Sequence, residues 1–179
     1  MNVDVTEKNY KFQKVMNKKV QPIRLHPHWK QFIATEGLII PIPIALIFIA
    51  GYDEFPIPQF IPFILVLSCI FIIGMIYKYF YIIKMVYVIT EEQIQSEHGL
   101  FSVQRNYVEL YRVIDYREDQ SFIQMVFGIK TITIYSGDRS NPQLKLIGIK
   151  NDMDLISIIR QRVEYNKKRR NIYEFTNNQ

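Results

Sequence analysis

Two apolar runs, residues 37–51 and 60–77, stand on either side of a short acidic loop that carries two prolines, and a long stretch of strand-like sequence follows them. Two such runs so close together are most simply hidden from water as a helical hairpin in lipid, with a separate module after it. A helix rises about 1.5 Å per residue and the hydrocarbon core is about 30 Å thick, so a crossing needs about 20 residues. Each run alone is slightly short. Residues 32–52 reach that length with Glu36 near the interface, and residues 60–83 exceed it with Lys78 reaching back to water. Two crossings are expected.

Pro41 and Pro43 each remove a backbone donor from the first span, so that helix is expected to kink or break near its inner third, with a re-entrant segment as the alternative. Pro62 falls in the first turn of the second span, where its missing N–H has no intrahelical partner to lose. The N-terminal flank is rich in Lys and Arg, the loop 52–59 carries Asp53 and Glu54 without a basic residue, and Lys78 and Lys84 close the second span. The positive-inside rule then places both termini in the cytoplasm of a multi-pass protein of the bacterial inner membrane. Trp29 and Phe32 with Tyr77, Tyr79, Phe80 and Tyr81 would form the inner aromatic belt, and Tyr52, Phe55 and Phe60 the outer one. Glu36 is the acid within reach of the first span. An intramembrane acid can relay protons or bind cations, whereas an interfacial carboxylate near a helix start is simply favoured by the helix dipole.

The chain has 179 residues and a formal net charge of +5, which leaves room for one modest soluble domain beside the membrane part. Its sole cysteine, Cys69, lies in the second apolar run and excludes an intrachain disulfide or a thiolate metal cluster. Residues 1–30 are polar and carry Lys8, Lys11, Lys14, Lys18, Lys19, Arg24 and Lys30, where a secretory signal would need an apolar core, so the N-terminus is expected to be retained. The expected segments are a basic cytoplasmic stretch (1–31), the transmembrane hairpin (32–83), a folded domain (84–165) and a basic, polar tail (166–179).

From Lys84 onward the period changes. Met85, Tyr87 and Ile89 alternate with their neighbours, as do Ile132 and Ile134, and Leu144 and Leu146 flank Lys145. Turn signals at Gly99, at Gly128 and over residues 136–142 separate these half-buried strands, a spacing that suits a small antiparallel sandwich or barrel, and residues 84–148 read as nearly all strand. Asn151 or Asp152 can cap a final helix with Asp154 in its first turn, and Leu155, Ile156, Ile158, Ile159 and Val163 give it an apolar stripe that would close the sheet.

Two helices, then "YVITEEQIQSEHGLFS", "VELYRVIDYREDQSFIQMVFGIKTITIYS" and "LIGIKN" before a closing helix, resemble the bacterial pleckstrin-homology (PH) family of YdbS-like membrane proteins. Ile89-Thr90 and Gly99 resemble the first hairpin of that family, residues 109–115 its charged and aliphatic segment, and Gln120-Ser121 and Phe127-Gly128 its later turn. Gln124, Met125 and Val126 stand where the family often has an arginine. The resemblance implies a mainly-β, seven-stranded, partly open PH-like barrel capped by a C-terminal helix.

Chemistry is thinly represented. His26 and His28 have a spacing that can chelate a metal, but two nitrogens make a weak site, and a juxtamembrane anchor is the simpler reading. The glycines are isolated, so there is no phosphate loop, and three histidines give no catalytic triad. Asp115, Glu118 and Asp119 beside Arg112 and Arg117 read as a solvated face. Arg160, Arg162, Lys167, Lys168, Arg169 and Arg170 form a basic group that anionic lipid would attract at about 1 kcal/mol per charge. The small charge excess of the domain argues against nucleic acid. Residues 104–107, as a sheet edge, and the loop 137–141 are candidate partner surfaces, and Pro41, Pro43, Ser68 and Gly74 roughen the helices for neighbours. The reading is a non-enzymatic inner-membrane scaffold or docking protein without a cofactor. It presents a PH-like domain to partner proteins or membrane lipid, as a homo-oligomer or as a subunit of a larger membrane assembly. The alternative is a transport or ion-linked component that uses Glu36 and the proline-broken helix.

Overall fold

The computed structural model describes residues 21–52 and 57–170. The lysines before residue 20 and the acidic loop residues Asp53 and Glu54 lie outside them. Among the described residues the chain forms seven strands in two antiparallel sheets. The first is β1 (Ile23–Leu25), β2 (Val86–Ile89), β3 (Gln93–His98) and β4 (Gln104–Glu109); the second is β5 (Val113–Asp119), β6 (Ile129–Ser136) and β7 (Gln143–Lys150). Five α-helices accompany them: α1 (Lys30–Glu36), α2 (Pro41–Ala50), α3 (Ile61–Ile83), α4 (Phe122–Phe127) and α5 (Leu155–Arg169).

The period-two residues form the core. Tyr87, Ile89, Ile94, Val108, Ile132 and Leu146 are fully enclosed between the sheets, and Leu155, Ile159 and Val163 of α5 cover the open side. The helix starts later than the sequence suggests, because Asp154 is its cap and accepts from the Ser157 amide. The Ser157 hydroxyl donates to the same carboxylate at 2.6 Å, and these bonds hold its pKa below the ordinary value.

Two expectations about the domain need correction. Residues 84–148 are not all strand: residues 122–127 form α4. Ser121 and Gln124 build a reciprocal capping box at its start, and Gly128 ends it at φ 66°, a conformation that suits glycine. Nor does the domain begin at Lys84. Strand β1 precedes the apolar segments and pairs with β2, Ile23 opposite Ile89 and Leu25 opposite Tyr87. The seventh strand thus comes from the stretch assigned to the N-terminal segment, and the apolar helices are inserted between two neighbouring strands.

The apolar part carries the break expected from the prolines of its first segment. Among the described residues one helix, running from Pro58 to Ile83, is long and apolar enough to cross a membrane by itself. The first segment is broken into α1 and α2, bent by 65°. Pro41 and Pro43 lack the N–H groups that would bond back to Gly37 and Ile39, so the helical ladder is interrupted and the chain turns over residues 37–40 before α2 begins, with Ile40 itself at helical angles. α2 then packs along α3, where the Ser68 hydroxyl donates to the Pro43 carbonyl at 3.1 Å and both residues are buried. The Pro43 and Ser68 irregularities therefore fit each other within the chain. Gly74 remains exposed.

Candidate functional site

The base of the domain, where it meets α1 and α3, gathers the polar groups that hold the two parts together. Glu36, the last residue of α1, is buried, and the Lys78 ammonium of α3 donates to both its carboxylate oxygens at 2.8 Å. Lys78 does not simply reach to water, because a carboxylate that leaves solvent requires a cation. One turn back on α1, the Phe32 ring meets Tyr79 edge-on at 5.4 Å.

On its other side α1 is tied to the domain through Gln31 and Gln124, both buried. The Gln124 amide donates to Gln31 Oε1 and Thr131 Oγ1, each at 2.9 Å, and its own oxygen accepts from the Ser121 amide. Gln31 in turn donates to Thr35 Oγ1 at 3.0 Å. The His28 amide donates to the Gly148 carbonyl at 2.9 Å. Gly148 adopts φ 67°, and an added Cβ would press on Gln31, His28 and Pro27 at 3.0–3.1 Å, so the close approach requires glycine. Gln124 thus occupies the position where the resemblance leads one to look for arginine, and serves as a joint.

The aromatic residues expected at the inner interface lie at this level. Trp29 is half exposed at the start of α1, tilted against His28. Tyr77 and Tyr81 follow one another along α3, and each has a partner from the β3–β4 hairpin: Phe101 of the turn stacks on Tyr77 at 6.2 Å with 13° between planes, and His98 at the end of β3 meets Tyr81 edge-on. Phe101 was not singled out by the sequence, because one aromatic in a turn has no pattern to reveal it.

The two histidines His26 and His28 each have a partner of their own. His26 Nδ1 contacts the Met85 carbonyl oxygen at 3.1 Å, and His28 Nδ1 accepts from the Lys30 amide at 3.3 Å. Burial, together with Lys30 and Lys150, lowers the pKa of His28. Among the described residues no three metal-ligating side chains converge. Of the acidic group, Asp119 pairs with Arg117 at 2.8 Å and Glu118 with Lys130 at 3.0 Å, while Asp115 accepts from the Tyr116 amide at 2.8 Å and Arg112 turns to Glu109 and Asp138.

The basic group on α5 sits elsewhere than expected. Strand β2 leaves α3 directly, so the turn at residues 90–92 is the far end of the sheet. Asn166 donates to the Glu91 carbonyl, and Arg169 pairs with Glu92 at 2.6 Å. The basic end of α5 therefore lies away from α3. Arg162 is a correction in its own right. Its guanidinium donates to the carbonyls of Ile89 (2.7 Å) and Thr90 (2.9 Å), and burial lowers its pKa, so it ties α5 to the sheet and is not open to a headgroup. Arg170 lies over the Tyr111 ring at 4.0 Å. Arg160 and Lys168 are exposed, and Lys167 is half-buried.

The two partner surfaces read from the sequence come together. β4 is an edge of its sheet, and from the loop beside it Asn141 Nδ2 donates to the Tyr107 carbonyl at 3.3 Å.

A four-stranded sheet facing a three-stranded one, with a helix across the open side, defines a PH-like split barrel. The family model described as "Bacterial PH domain" matches residues 38–163, well over half of the chain, and the chain belongs to that family. Comparison with curated proteins and with solved structures found no match. Domains of this kind serve in general as protein-interaction or lipid-binding modules.

Proposed function

We propose that the protein is a non-enzymatic docking module of the bacterial inner membrane. Its PH-like domain is held on the cytoplasmic face and offers the β4 edge to a partner protein, as a subunit of a membrane assembly. The observation that carries the reading is the insertion of the apolar helices between β1 and β2. Adjacent antiparallel strands begin and end that excursion at one edge of the sheet, so it must leave and re-enter the domain on the same side of a bilayer. If α3 crosses, the bent pair α1 and α2 has to return, as Pro43 against Ser68 and Glu36 against Lys78 support. The exposed apolar surface of α3, with Phe63, Ile70 and Ile73 at 61–70%, suits lipid and not water.

The docking edge follows from β4, whose outer row of backbone groups, met at the Tyr107 carbonyl by Asn141, lies at the sheet edge where a partner strand can add. A transport role gains nothing from the geometry, because Lys78 already neutralises Glu36. Affinity purification of the full chain in mild detergent, beside a Tyr107→Pro variant that removes an N–H on the outer side of β4, tests the reading. A co-purifying membrane protein that the variant loses supports it; recovery of the bare chain from both overturns it. Cysteine labelling at Tyr52→Cys in intact cells tests the topology, which predicts labelling before lysis.

A further inference from the structure

We propose that the underside of the domain is itself a membrane-contacting surface, with the β3–β4 turn and the outer face of α4 lying in the interfacial zone of the bilayer that α3 crosses. The inference rests on the membrane reading above and adds to it a second mode of attachment, by the domain.

Each sheet contributes one apolar projection beside the helices. From the first comes the turn at residues 99–103, where Phe101 is 91% exposed and Val103 is 54% exposed. From the second comes α4, whose Phe122, Met125 and Val126 are spaced along one helical face and are 60–78% exposed. Water is a poor solvent for such groups, and the local fold fixes their orientation. Gly99 takes φ 123°, and a Cβ there would run into the Ser102 carbonyl, so the turn is closed tightly with Phe101 at its tip. The α4 face is fixed by the capping box and by Gln124 reaching to Gln31.

The occupant is identified by continuity with α3. Phe101 stacks on Tyr77, which lies six residues before the helix end and therefore about 9 Å back along it. The turn thus reaches past the end of α3 and alongside its apolar surface. A connection that only joined β3 to β4 would have no need to do so. α4 lies beside α1, with the Lys30 ammonium 5.7 Å from the Phe127 ring. Lys30 and the exposed Lys84 at the end of α3 supply cations at the same level, where phosphate headgroups lie above the apolar zone. The lipid contact expected from the basic end of α5 moves, on this view, to the opposite end of the domain.

The test uses full-length Cys69→Ser protein in vesicles of neutral and anionic phospholipid, with a nitroxide on a cysteine at Phe101, Met125, Ile73 or Ser140. Collision with oxygen, which concentrates in lipid, is compared with collision with a water-soluble nickel complex. The oxygen-to-nickel ratio is expected to be several-fold higher at positions 101 and 125 than at 140, and highest at 73. If positions 101 and 125 match 140 while 73 remains in lipid, the inference fails and the membrane reading stands. If 73 also matches 140, the membrane reading fails with it. Shielding of 101 and 125 from both reagents means that protein covers them, which likewise overturns the inference.

Discussion

The ammonium of Lys78 lies 2.8 Å from each carboxylate oxygen of Glu36, joining residues far apart in sequence across the junction of α1 and α3. The two partners are unequal: the Glu36 side chain is 7% exposed and that of Lys78 is 52% exposed. Removing either one leaves a different problem behind.

Lys78→Met strands a buried carboxylate, whereas Glu36→Gln leaves a lysine that can turn to solvent. The first is expected to destabilise by about 2 kcal/mol and the second by about 1 or less, the surface exposure of Lys78 discounting the larger values of buried pairs. Thermal unfolding in detergent micelles checks the order, and the double variant Glu36→Met with Lys78→Met should recover most of the loss.

Arg162→Ala is expected to lower stability by about 2 kcal/mol, since it removes the charged donor from the carbonyls of Ile89 and Thr90. Arg160→Ala, on the exposed face of the same helix, should change the unfolding midpoint hardly at all. Equal effects from both would contradict the assignment of Arg162 to the packing of α5.

Gln124→Leu removes the donor to Gln31 and Thr131 and the acceptor of the Ser121 amide, for a loss of about 2 kcal/mol. Hydrogen exchange locates it: faster exchange should be confined to α1, α4 and the start of β6, with the amides of β3 unaffected. Uniform acceleration would mean that Gln124 is not a local joint.

The Tyr87 phenol is enclosed in the core, where it accepts from the Ile147 amide at 3.1 Å, and burial pushes its pKa up to about 12. An unfolded chain releases that proton near pH 10. Between these values the unfolded state has lost the proton and the folded state keeps it, so stability falls as pH rises through the window, by about 2–3 kcal/mol in full. Tyr87→Phe is expected to be about 1 kcal/mol less stable at neutral pH for want of the hydrogen bond, and to decline less between pH 10 and pH 12. Chemical denaturation at both ends of the window measures the difference.

Much of the barrel was legible because buried residues alternate with more open ones along β2, β3 and most of β7, while the central strand β6 is buried on both faces and shows its period only in residue type. Three features were not legible for physical reasons. β1 is three residues long, too short for a period, and its partner lies beyond the whole apolar insert. α4 was hidden among strands, although Ser121, Gln124 and Gly128 spelled out a cap at each end. The setting of the basic group depended on which end of the sheet α5 would reach, a matter of packing that charge spacing alone does not contain. The same holds for Glu36 and Lys78, read separately as an interfacial acid and a snorkelling base.

The pairing of β1 with β2 also orders events during synthesis. Ile23, Arg24 and Leu25 leave the ribosome first and have no neighbour until the helices and then Val86 have emerged. The sheet can consequently be completed only after the whole apolar insert has been made, so the helices and the edge strand of the domain are coupled in their order of formation.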